Sequence, residues 1–279
     1  MISSLTSCKE YVEMRKKELR EQISIFSKNN RVPHLGVIQI GSNDASERYI
    51  KGKKRDCEEV GIVVTHLIFK DYSLYDTNNL KQVIDDMCNI SNCDGIIVQL
   101  PIPDKFDVEE LQNAIPTEKD VDGFRRDSMF VPCTPKGMID YLEYNNVNLA
   151  GELCVVIGRS KIVGKPMVNL LIDRGATVIC CNSKTKDLKT LTQQAKIVVS
   201  AVGKPEIFDF SYFNESQILL DVGINLNASG KLCGDISRDV KDKVTYATPV
   251  PGGVGLLTRL ALLENTFEAY KMNMGGIKC

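Results

Sequence analysis

Apolar and polar positions change period along this chain, from about 3.6 in some stretches to about 2 or an unbroken apolar run in others. Residues 9–28 set Tyr11, Met14, Leu19, Ile23 and Ile25 among Lys, Arg and Glu, which predicts a charged amphipathic helix. An apolar strand is expected over 35–40, stopped by Gly41-Ser42-Asn43-Asp44. Residues 46–60 read as a helix, with Gly61 suited to its C-cap. A second strand over 62–69, a helix over 78–90 and a buried strand from Gly95 to Leu100, closed by Pro101 and Pro103, follow. Strand alternating with helix predicts a parallel α/β domain.

A second series begins after Cys133-Thr134-Pro135-Lys136-Gly137, where Thr134 is a candidate cap and Pro135 suits the first turn of a helix reaching about Asn145. Residues 154–157 predict a strand, 158–164 a glycine-marked turn, and 166–173 a helix. Gly175 breaks the chain before a strand over 177–181. More strands are expected over 197–201, 218–222 and about 244–247, and one long helix over 257–272. Crossovers between such parallel strands are right-handed by default. The expected fold is α/β, in two domains.

Composition agrees with that fold and narrows the function. A chain of 279 residues is long enough for two cores. With 35 Lys+Arg against 36 Asp+Glu the net charge is -1, so an extended surface for nucleic acid is not expected. The opening Met1 to Cys8 is too polar for a signal core, and the longest apolar runs fall far short of the ~20 residues of a membrane span. The expected location is cytoplasmic, without membrane partners. The 10 cysteines include no CxxC, and with only His34 and His66 available no metal site is expected. They read as reduced, mostly buried thiols. Cys180 and Cys181 should face opposite ways on a strand.

Two segments carry candidate chemistry. Val155-Val156-Ile157-Gly158-Arg159-Ser160-Lys161-Ile162-Val163-Gly164-Lys165-Pro166 has strand, turn and helix in the order that receives a pyrophosphate, although its glycines do not follow GxGxxG. A plain tight connection is the alternative. After the next strand, Asn182-Ser183-Lys184-Thr185-Lys186 has no acid for a ribose hydroxyl; Arg159, Ser183 and the lysines suit a 2′-phosphate, which favours NADP over NAD. The competing reading of the lysines is a solvated loop. In the first half, Tyr49 and Lys53 stand at i and i+4, one above the other on a helix, and could stack on a flat heterocycle and present a proton acceptor to it. A wet lysine-rich face is the simpler reading of that helix. Gln99 ends an apolar strand, where ligands collect, and Asp120-Val121-Asp122-Gly123 places carboxylates at a turn.

Taken together, these pieces resemble the bifunctional methylenetetrahydrofolate dehydrogenase/cyclohydrolase family. Six blocks match in family order: 41–46 with Tyr49 and Lys53, 94–101, 119–123, 132–135, 158–164 and 248–255. The resemblance implies a Rossmann-like NADP-binding domain over 137–255. It also implies a folate-binding catalytic domain formed by 1–136 and completed by the C-terminal helix of 256–279. It implies that Tyr49 stacks on the folate, that Lys53 is the central catalytic group, that Gln99 orients it and that Asp122 hydrogen-bonds the pterin. Gly158, Arg159, Ser160, Ile162, Gly164, Ser183 and Ile224 are the implied cofactor contacts. A homodimer joined through the cofactor domains is implied too.

The implied reaction is NADP-dependent oxidation of 5,10-methylenetetrahydrofolate, then hydrolysis of the methenyl product to 10-formyltetrahydrofolate. The alternatives are dehydrogenase activity with weak or absent cyclohydrolase, another two-domain NADP-dependent dehydrogenase, or a binding module that has lost catalysis. Three departures bear on these. The family's longer segment after Asp122-Gly123-Phe124 is reduced to residues 125–131, its usual Ile-Asp-Gly-Lys opening is absent, and Leu256 and Arg259 replace a proline and a small apolar residue. Hydrolysis, which needs a held water, is expected to suffer more than hydride transfer. Arg125 and Arg126 are either solvated or available to a folate glutamate tail.

Overall fold

The structure, a computed structural model, describes residues 5–90 and 92–275; the opening tetrapeptide and Cys279 lie outside them. The chain divides into two compact units. Among the described residues, one comprises those of Met14–Cys133 with 259–275; the other comprises 5–13 with Thr134–Thr258.

The first unit is built from α1 (Cys8–Phe26, whose first residues go with the other unit), β1 (His34–Ile40), α2 (Asp44–Val60), β2 (Val63–Phe69), α3 (Thr77–Asn89), β3 (Gly95–Gln99) and α4 (Val108–Ala114). Its sheet has the order β2-β1-β3, all parallel, with Leu35 opposite Val64 on one side and Gly95 on the other. Successive side chains of a strand point to opposite faces, so β1 serves two cores. Leu35 and Val37 join Leu19 and Ile23 of α1 and Ile50, Cys57 and Val60 of α2; Ile38 and Ile40 join Leu80, Ile84 and Met87 of α3.

The second unit contains α5 (Cys133–Tyr144), β4 (Leu153–Ile157), α6 (Gly164–Asp173), β5 (Thr177–Cys181), α7 (Leu188–Gln194), β6 (Ile197–Ser200), β7 (Ile218–Asp221), the hairpin β8 (Asn225–Leu226) and β9 (Leu232–Cys233), and β10 (Tyr246–Ala247). Five of these strands form a parallel sheet in the order β10-β7-β6-β4-β5. The long α8 (Val254–Gly275) closes the chain, and most of it belongs to the first unit, where Ala261, Leu262, Leu263 and Phe267 fill the core.

Differences from the expected elements have identifiable causes. Helices α4 and α7 were not anticipated, because seven residues with one buried apolar side chain or none show no helical period; the Asp107 side chain caps α4 by accepting from Glu110 N at 2.9 Å. Thr134 is not a cap. Helix α5 starts at Cys133, which puts Thr134 inside its first turn, and the Thr134 hydroxyl pairs with that of Thr258 at 3.0 Å. Among the described residues all nine cysteines are free thiols, and Cys180 is exposed beside a buried Cys181, as strand geometry requires. No described helix is long and apolar enough to cross a membrane.

Candidate active site

Ligands of open parallel sheets collect beyond the carboxyl ends of the strands, where the strand order reverses. In the first unit that place lies between β1 and β3, since β2 adds to one edge of β1 and β3 to the other. Gln99 is the last residue of β3 and is buried. Helix α2 begins beside it: Gly41, at φ 80°, ends β1, and the Asn43 side chain accepts from Ser46 N at 3.1 Å. About two turns after Ser46, α2 presents Lys53, only 4% exposed, whose Nζ donates to Gln99 Oε1 at 3.1 Å. The Gln99 amide nitrogen donates in turn to Leu100 O at 2.7 Å. That second bond decides which end of the amide faces the lysine, because only the oxygen can accept. Tyr49 lies one turn before Lys53, with its ring centroid 5.0 Å from Nζ.

Asp122 enters from a separate turn and is 8% exposed. Gly123 follows it at φ 71°, and a Cβ there would lie 2.7 Å from both Pro132 N and the Val131 carbonyl carbon. The short segment 125–131 therefore folds back onto the Asp-Gly turn. Asp120 accepts from Arg125 N at 2.9 Å, and burial raises its carboxyl above the ordinary value. The Arg125 guanidinium forks onto Asp127 at 2.9 Å and donates to Ile115 O at 2.7 Å. Arg125 is thus committed to bracing the loop, while Arg126 is exposed. Asn265 of α8 donates to Val121 O at 2.9 Å and Val131 O at 3.2 Å, tying both ends of the segment to one helix.

In the second unit the order reverses between β4 and β6. Gly158 follows β4 at φ 121°, and a Cβ on it would lie 2.4 Å from Ala201 O, just after β6. Gly164 opens α6, and a Cβ on it would lie 2.2 Å from Gly158 O. Both positions are occupied by backbone, so glycine is required at each. The Ser160 hydroxyl accepts from Val163 N at 3.2 Å and Gly164 N at 3.3 Å, shaping the turn itself. Arg159 and Ser160 are exposed and Ile162 is half-buried on this turn. Ser183 is exposed just beyond β5, which pairs with β4 through Ile157 and Cys181. Ile224, 62% exposed, follows β7, two strands away.

A pair of buried acids escaped the sequence reading. Asp221 accepts from Gly223 N at 3.1 Å and Asp235 N at 2.9 Å, and Asp235 accepts from Ser200 Oγ at 2.9 Å and Val202 N at 2.8 Å. Together they staple the loops beyond β6 and β7, including the one bearing Ile224. Burial lifts the Asp221 carboxyl to about 6, although Asp235 N, Lys241 and Ile236 N oppose the rise. The available signal was an acid ending an apolar strand before glycine.

The family matches cut the chain near the same place, between 122 and 132, but carry the C-terminal helix with the second domain. Residues 6–122 match the catalytic domain, and 132–274 the NAD(P)-binding domain, of tetrahydrofolate dehydrogenase/cyclohydrolase. The chain belongs to the tetrahydrofolate dehydrogenase/cyclohydrolase family. The family's two activities, methylenetetrahydrofolate dehydrogenase and methenyltetrahydrofolate cyclohydrolase, are accordingly its own. It is 41% identical to the bifunctional protein FolD of Agathobacter rectalis over 92% of this chain and 95% of that protein. Among solved structures it resembles the bifunctional FolD of Campylobacter jejuni, with TM-score 0.91 and 37% identity over 95% of this chain and 98% of that one. The Trypanosoma brucei enzyme, solved with NADP and an inhibitor, gives 0.90 at 27% identity over 97% and 98% of the two chains. The two matched stretches leave out 123–131, the segment that departs from the family pattern.

Proposed function

We propose that the first unit binds and converts the tetrahydrofolate derivative and that the second binds NADP. The hydrogen bond from the buried Lys53 to Gln99, with Tyr49 alongside, carries this reading. A folate ring system is wide and flat, and Tyr49 offers an aromatic face of matching chemistry within reach of an amine. In this reading Asp122 accepts from the pterin's ring nitrogen and amino group, and its braced turn fixes their direction. Gln99 holds the Lys53 amine in one place, so that positioning comes before proton transfer. During hydrolysis, water adds to the methenyl carbon and loses a proton to Lys53. The added hydroxyl then gives up its proton as the carbonyl forms, the bond from that carbon to the ring nitrogen N5 breaks and N5 takes a proton, leaving the formyl group on N10.

The second unit fits a dinucleotide. The turn from Gly158 to Gly164 brings backbone where any Cβ would intrude, at the amino end of α6. Gly158, Arg159, Ser160, Ile162 and Gly164 would hold its pyrophosphate side, and Ile224 its apolar part. Ser183, Arg159 and the nearby Lys184 and Lys186 favour the 2′-phosphate of NADP, since residues 182–186 contain no acid. When bound, this cofactor takes the hydride from the methylene carbon. The same reading includes a homodimer through the cofactor domain, to which exposed Leu226 and Leu232 on the hairpin would add apolar surface, and a cytoplasmic location.

The test is an assay of the purified protein with 5,10-methylenetetrahydrofolate and either NADP or NAD, following methenyl and formyl products separately. A kcat/KM for NADP well above that for NAD is expected. Equal values, or a preference for NAD, would defeat the cofactor assignment.

A further inference from the structure

Helix α2 is gripped on the strip next to the one that carries Lys53. Gly52 and Asp56 are four residues apart, so they share a face, with Lys53 about 100° around the helix from Gly52. Arg259 of α8, in the same unit, lies across both. Its Nε is 2.6 Å from Asp56 Oδ2, and a Cβ on Gly52 would stand 2.6 Å from its NH1, so the guanidinium occupies the space a side chain would take. Asp56 is 2% exposed and also receives Lys16 Nζ at 3.2 Å and Arg55 NH2 at 3.3 Å. Lys16 in turn pairs with Glu59, one turn further along α2. A buried carboxylate contacted by three cations, two of them on other helices, holds α2 against rolling and sliding.

We propose that Arg259, through Asp56 and over Gly52, is a positioning residue for Lys53. A roll of 10° about the helix axis moves an amine ~8 Å from that axis by ~1.4 Å, given a Cα radius of about 2.3 Å plus an extended lysine side chain. Such a shift would open the 3.1 Å bond to Gln99. Misplacement on that scale typically costs about 10²-fold in rate. The inference rests on the assignment of Lys53 as the catalytic amine.

The experiment compares Arg259→Met, Arg259→Lys, the double variant Asp56→Ala/Arg259→Leu and, in parallel, Lys53→Met, each as full-length protein. For each variant the thermal midpoint, and kcat and KM for methenyl hydrolysis, are measured. Arg259→Met is expected to lower kcat at least tenfold with KM for the folate within about threefold. Arg259→Lys, which keeps the charge but not the flat guanidinium over Gly52, should recover part of that loss. The double variant guards against misfolding, since an apolar pair can restore stability where a lone buried charge would not. It should regain its thermal midpoint without regaining kcat. Wild-type kcat in folded Arg259→Met or in the double variant, or a loss confined to KM, overturns the proposal. If Lys53→Met itself keeps wild-type hydrolysis, the assignment of the catalytic amine fails instead.

Discussion

Replacing Gly164 by alanine sets two effects of opposite sign against each other. Alanine is the better helix residue, by up to ~1 kcal/mol in a helix interior and less at the first position, so propensity alone predicts mild stabilisation. Sterics predict the reverse. The new Cβ would sit 2.2 Å from Gly158 O, 2.7 Å from its carbonyl carbon and 2.9 Å from Arg159 Cα, where ordinary contact begins near 3.4 Å. All three neighbours are backbone, so the turn must move by about 1.2 Å rather than swing a side chain aside. Overpacking of this kind costs ~1–3 kcal/mol, which outweighs the propensity gain. The net loss should lower the thermal midpoint by a few degrees, at ~2–4 °C per kcal/mol for a chain of this size. The displaced backbone is the part of the turn that would face a pyrophosphate, so KM for NADP should rise by about 10²-fold. Methenyl hydrolysis measured without cofactor should persist, because Tyr49, Lys53, Gln99 and Asp122 all lie in the other unit. The assays are NADP titration of the dehydrogenase rate, methenyl decay at its absorbance band, and a thermal melt. An unchanged KM with a raised midpoint would show that the turn does not approach the ligand and would refute the reasoning.

Other perturbations follow from the same geometry. Lys53→Met deletes the amine that meets Gln99; methenyl hydrolysis should fall by ~10²–10⁴ while the protein stays folded and binds NADP, as dye-monitored melts with and without cofactor would check. For Asp221, raised to about 6 by burial, the native state holds its proton more tightly than the unfolded chain. Its contribution to stability is therefore full below about pH 4 and is lost as pH rises through about 6. Denaturant melts should show that part of the stability gained between pH 7 and pH 5, about 1 kcal/mol, disappears in Asp221→Asn; equal pH dependence in both proteins would contradict it. Arg125→Ala removes the fork onto Asp127 and the bond to Ile115 O, and should raise KM for the folate as the Asp122 turn loosens. An unchanged KM would show that Asp122 is held without that brace.

Much of this molecule was legible without coordinates. The hydrophobic period placed β1, α2, β2, α3 and β3 within about two residues, since long elements with a buried stripe carry a repeated signal. Glycines at 158 and 164 and the missing acid after β5 could be read because backbone close approach and charge complementarity restrict residue type at single positions. Tyr49 and Lys53 shared a face by helical spacing alone. The chain order could not say that Gln99 would meet Lys53 across 46 positions, because that contact depends on β3 adding beside β1. Nor could it show that Arg125 is spent on its own loop, that Asp221 and Asp235 staple neighbouring strand ends, or that Arg259 lies over Gly52. Apart from Arg125, which turns back onto its neighbours Asp127 and Ile115, each is a polar side chain whose partner is chosen by the packing of separate elements. Local propensity and periodicity depend on neighbours along the chain, whereas burial, charge pairing and the direction of an amide depend on neighbours in space.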